Sequence, residues 1–101
     1  METYSVLALS TGHLTKEDNA LLHGITHHHP HALDHQFYGM VMSREEGYFI
    51  KLYEEDYLNE AAEFSPTLHK IIKYAHTEGH RMIEFDRDAE EYPEFFETFN
   101  W

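Results

Sequence analysis

The chain has 101 residues, enough for one domain with a modest core and no covalent staples. Its 19 acidic and 7 basic side chains give a formal charge of −12, which excludes surfaces built to grip phosphates, whether of nucleic acid or of an anionic membrane. The lack of cysteine excludes disulfides, thiol catalysis and thiolate zinc sites, and a hydrophobic fraction of 42% is too high for a disordered acidic tail.

Tyr4 to Leu9 is short, apolar and β-prone, and predicts a first strand that Ser10-Thr11-Gly12 breaks. Thr15 followed by Asp18 resembles a capping box, and Ala20-Leu21-Leu22 continue a short helix that Gly24 is expected to end. Residues 25–36 are dominated by histidine, contain Pro30 and read as a loop. Phe37 to Ser43 and Tyr48 to Tyr53 are apolar-rich runs joined by Arg44-Glu45-Glu46-Gly47, a hairpin signal. Phe49 and Leu52 do not alternate strictly, so the buried face of the second run stays open. Glu54 to Phe64 is acidic and ambiguous.

Ser65-Pro66 opens the clearest helix, serine as the cap and proline in the first turn. Leu68, Ile71, Ile72 and Ala75 fall at i, i+3, i+4 and i+7 and mark its buried face. Gly79 stops it, and the alternation from Arg81 to Asp86 predicts a last strand with Ile83 and Phe85 on one side. The order strand, helix, strand, strand, helix, strand is the split βαβ pattern. The expected fold is α+β: a single domain over residues 1–101, with a four-stranded, mainly antiparallel sheet, ferredoxin-like or related, and two helices on one face.

The acid is concentrated at the C-terminus. Glu84, Asp86, Asp88, Glu90, Glu91, Glu94 and Glu97 are interleaved with Phe85, Tyr92, Phe95, Phe96, Phe99 and Trp101, with Arg87 the only cation of the stretch. Glu45, Glu46, Glu54, Glu55 and Asp56 add further carboxylates. Such a surface suits a basic protein partner. In the acidic, aromatic segment 87–101, Tyr92 and Phe95 are the expected core residues.

In the histidine loop, His27, His29 and His31 would share one side of an extended chain and, with Asp34 or His35, could hold zinc or nickel. A solvated loop is the preferred reading, because the tract matches no fixed ligand spacing. Ser10, His13 and Asp18 invite a hydrolase triad, but there is no Gly-x-Ser-x-Gly, and small polar residues after a strand ordinarily make turns and caps.

Val6-Leu7-Ala8-Leu9-Ser10-Thr11-Gly12-His13 resembles the opening of an uncharacterised bacterial domain family, domain of unknown function 5983. Ile71-Ile72-Lys73-Tyr74-Ala75, Gly79, Phe85-Asp86-Arg87-Asp88 and the terminal Trp101 resemble its second half. The resemblance implies genes carried by plasmids and prophages, near antirestriction functions, and supplies no catalytic residue. The expected function is therefore a non-enzymatic, cytoplasmic inhibitor of the anti-CRISPR or antirestriction type. It would bind a basic nucleic-acid-handling host complex in competition with nucleic acid, without a cofactor and without touching nucleic acid or membrane itself. The alternatives are a histidine-rich metal protein or enzyme, and an antitoxin-like partner of one basic protein.

Overall fold

The computed structural model describes residues 1–27, 40–52 and 63–101. The elements run β1 (Val6–Leu9), α1 (Lys16–His27), β2 (Val41–Arg44), β3 (Gly47–Lys51), α2 (Pro66–Thr77) and β4 (Met82–Asp86), with a 3-10 turn at Thr11–His13 between β1 and α1. Phe37 to Gly39 of the first predicted hairpin strand, Tyr53 of the second, and Glu54 to Ala62 of the ambiguous acidic segment lie outside the described residues.

The four strands form one mixed sheet in the order β1-β4-β3-β2. This corrects the ferredoxin-like expectation. A split βαβ sheet separates its parallel strands with an antiparallel one, whereas here β1 lies directly beside β4 and parallel to it, Val6 opposite Met82 and Leu9 opposite Phe85. The β4–β3 and β3–β2 pairs are antiparallel. Strand order is set by long-range packing that local periodicity does not encode.

Alternation sorts the strands cleanly. Leu9, Ile83, Phe85, Tyr48, Ile50 and Val41 are buried, and they share one core with Leu22 and Ile25 of α1 and with Leu68, Ile71, Ile72 and Ala75 of α2. The intervening residues, among them Val6, Ala8, Met42, Glu84 and Lys51, form the other, more open face. In β3 the buried residues are Tyr48 and Ile50, which settles the face that the sequence leaves open.

Helix α2 forms as its sequence dictates: the Ser65 hydroxyl accepts from Leu68 N–H, Pro66 sits in the first turn, and Gly79 follows with φ of +82°. Helix α1 departs from expectation. It runs through Gly24 to His27, so Ile25, Thr26 and His27 are helical and not loop. A glycine inside a helix costs about 1 kcal/mol relative to alanine. Ile25 behind it is only 2% exposed, and burying that side chain outweighs the cost. The Thr15 hydroxyl accepts from Asp18 N–H, as a cap should. The Asp18 carboxylate, however, accepts from Ser65 N–H (2.9 Å) and from the Ser65 hydroxyl, tying the start of α1 to the cap of α2.

The hairpin turn is tighter than predicted. Arg44 pairs with Gly47, leaving only Glu45 and Glu46 as the link. Glycine is required at position 47 because a Cβ there would overlap the Phe85 carbonyl oxygen on β4.

Candidate functional site: an acidic segment strapped to the Ser10–Leu14 turn

Residues 90–101 make only turns of their own, and position is imposed on them from the Ser10–Leu14 turn. Ser10 N–H donates to the Glu90 carbonyl (3.2 Å), Phe99 N–H to the Gly12 carbonyl (2.8 Å), and the Trp101 indole N–H to the Leu14 carbonyl (2.9 Å). His13 holds the centre. Its ring is fully buried, Nδ1 lies 2.8 Å from the Glu97 carbonyl, and Nε2 lies 2.9 Å from Tyr92 N. A carbonyl only accepts and a peptide N–H only donates, so the ring is the neutral tautomer with its proton on Nδ1.

Apolar packing completes the strap. Tyr92 N–H-side bonding and the turn at Tyr92, whose carbonyl accepts from Phe95 and Phe96 N–H, swing Phe96 inward. Phe96 meets the His13 ring edge-on (5.8 Å) and Tyr74 of α2 edge-on (5.3 Å). The expectation that Phe95 is buried is therefore wrong: Phe95 is 53% exposed, Phe96 only 5%, and Tyr92 is half-buried. Phe95, resting against Tyr74, and Trp101, tethered through its indole N–H, are the large aromatics that this anchored segment leaves exposed.

The carboxylates divide into two groups. Asp88, Glu90, Glu91, Glu94 and Glu97 are exposed along the strapped segment, and Glu45 is exposed at the hairpin turn. Glu84, Asp86 and Glu46 instead converge on Arg44 of β2, whose Nη1 donates to Glu84 and to Asp86 Oδ2 (3.1 Å) while Nη2 reaches Glu46 (3.0 Å). The same guanidinium stands 5.5 Å from the centre of the Phe49 ring. Glu54, Glu55 and Asp56 lie outside the described residues.

A model of the family of unknown function (DUF5983) C-terminal domain matches residues 6–101. The chain belongs to that family. No curated protein and no solved structure matches it. The matched span takes in both ends of the strap, so the Ser10-Thr11-Gly12-His13 stretch and the acidic segment that carry the family resemblance are in contact in this member.

The residues of the hydrolase reading are engaged elsewhere. The Ser10 hydroxyl accepts from Gly12 N–H (3.0 Å), both His13 nitrogens hold backbone groups of the strap, and Asp18 serves Ser65. Of the histidine cluster, His27 ends α1, and His29, His31, Asp34 and His35 lie outside the described residues. Among the described residues, no group of three or more histidine or acidic side chains is placed to hold a metal ion. No helix among them is long and apolar enough to cross a membrane.

The sequence singles out His13 only as a member of a catalytic constellation and misses its role as the buried anchor of the strap. Its sole signal is a histidine directly before an apolar residue at the end of a Ser-Thr-Gly turn, a pattern that turn chemistry explains equally well.

Proposed function

We propose that the protein is a non-enzymatic docking module that occupies a basic surface of a nucleic-acid-handling complex and so competes with nucleic acid, an inhibitor of the anti-CRISPR or antirestriction type. The observation that carries this reading is the strap: its backbone is bonded to the Ser10–Leu14 turn while Asp88, Glu90, Glu91, Glu94 and Glu97 and the rings of Phe95 and Trp101 face outward. An ordered acidic segment loses less entropy on binding than a free tail. Its carboxylates match guanidinium groups, and its exposed aromatics are the residue type that anchors interfaces. The inhibitor role and the mobile-element setting rest on the family resemblance and on the charge of −12.

The test mixes the purified protein with a panel of restriction endonucleases and CRISPR effectors and measures nucleic-acid binding across a salt series. Displacement at low salt that fades as salt rises supports the reading, because a Debye length of about 8 Å at physiological ionic strength shortens further. It should weaken when Glu90, Glu94 and Glu97 are changed together to lysine. Undiminished nucleic-acid binding at low salt with every complex tried rejects it.

A further inference from the structure

Strand β1 is an edge: β4 lies on one side, and among the described residues no strand pairs with the other. Natural edges are usually blunted by lysine, proline, a bulge or a cover. Val6-Leu7-Ala8-Leu9 carries neither charge nor proline, and Val6 and Ala8 are exposed. One bond fixes which backbone groups are free. Ser10 N–H points away from β4 to the Glu90 carbonyl, and backbone groups alternate sides along a strand, so those of Ala8 and Val6 point the same way. The Ser5 carbonyl, on the opposite alternation, accepts from Arg81 N–H just ahead of β4.

Beside this edge lies a groove of about 170 Å³ lined by Leu7, Ala8, Tyr74, Tyr92, Phe95 and Phe96. Tyr74, Phe95 and Phe96 also line a second hollow of about 420 Å³, rimmed by Lys70, Lys73 and Glu94. Among the described residues the strap therefore hydrogen-bonds the outward edge at Ser10, while its Tyr92, Phe95 and Phe96 side chains flank Leu7 and Ala8 as walls of the groove.

We propose that the β1 edge receives an extended segment of the basic partner as a fifth strand, with an apolar side chain seated in the groove against the touching Tyr74 and Phe95 rings (6.2 Å between centres) and a flanking lysine or arginine against Glu90 and Glu91. This rests on the docking reading above and names its mode. Charge selects the occupant. A second copy would set two chains of −12 edge to edge, and an acidic peptide would meet Glu90, Glu91 and Glu94. Lys70 and Lys73 stand on the far rim, which places the basic end of the segment beside Glu90.

The probe is a phage-displayed library of random dodecapeptides selected on the whole protein, with enriched peptides then synthesised. The expected winners alternate apolar residues and carry lysine or arginine at one end. Ala8→Pro removes an outward N–H that the sheet does not use, a position where an edge strand tolerates proline. It should weaken peptide binding at least tenfold, as should Phe95→Ser. In the unmodified protein, bound peptide should protect the Val6 and Ala8 amides from hydrogen exchange, a readout independent of how the variants fold. No enriched peptide, winners with acidic flanks, or winners that bind Ala8→Pro equally well and leave those amides unprotected would each overturn the proposal. The assay contains no nucleic acid, so its failure leaves the displacement test standing, and the reverse also holds.

Discussion

His13 shows how one side chain can set the position of a whole segment. Replacing it with alanine leaves a hole beside Phe96 and strands Tyr92 N–H and the Glu97 carbonyl. A cavity and two broken bonds together predict a loss of about 2–4 kcal/mol in urea unfolding, with faster amide exchange at Tyr92 and Phe99 than in the β4 core. Unchanged exchange at those two amides would mean that the strap is held by its aromatics alone. Tyr48 makes a second prediction. Burial raises its phenol above the ordinary tyrosine value of 10.0, and its hydroxyl donates to the Asn19 carbonyl (3.3 Å). The folded state keeps the proton where the unfolded chain has begun to release it, so this contribution is intact below pH 10 and is lost as pH climbs above it. Tyr48→Phe should cost about 1 kcal/mol at neutral pH and flatten the alkaline fall in stability. An equally steep alkaline limb in the variant would place that fall in another group. Neither role is legible in the sequence, since burial of a lone polar ring depends on what the fold brings over it.

At the level of elements, the sequence is most informative where a local rule and a tertiary demand agree. Helix α2 has its serine cap, its proline and four apolar residues at helical spacing, and all act together. Helix α1 shows the opposite: Gly24 is a local stop signal, overruled because Leu22 and Ile25 must both reach the core. In the strap, Phe95 and Phe96 are chemically equivalent, and only the turn at Tyr92 decides which one is buried. The Asp18 link between the two helix starts is likewise invisible beforehand, because Ser65 lies 47 positions after Asp18. That link is testable. Asp18→Ala removes the acceptor for Ser65 N–H and the Ser65 hydroxyl and should destabilise the protein by about 1–3 kcal/mol. Asp18→Asn keeps an amide oxygen for Ser65 N–H and should lose clearly less. Equal urea midpoints for the two variants would show that charge, and not the hydrogen bond, joins the helices.

For the whole molecule, the class and the element order were legible, since period-2 and period-3.6 patterns alternate along the chain. The parallel β1–β4 contact was not, because it joins residues about seventy-six positions apart, Val6 and Met82, without a local signal. The acidic surface divides in the same way. Composition supplies the charge of −12, but only the sheet register brings Glu84 and Asp86 beneath Arg44, with Glu46 on its other side. This cation therefore governs how the open sheet face carries its charge. The three carboxylate side chains retain 23–26% exposure, so solvent screens their repulsion only in part. Arg44→Met keeps an apolar stem near Phe49 while leaving three carboxylates together without their cation. It should lower stability by about 1–2 kcal/mol at low ionic strength. The deficit should shrink towards 1 M salt, where the screening length is about 3 Å. Urea midpoints measured against sodium chloride for both proteins check this. A deficit that does not change with salt would mean that Arg44 acts through packing on Phe49 and not through charge. In that case the open face would not depend on its cation to hold the acids together.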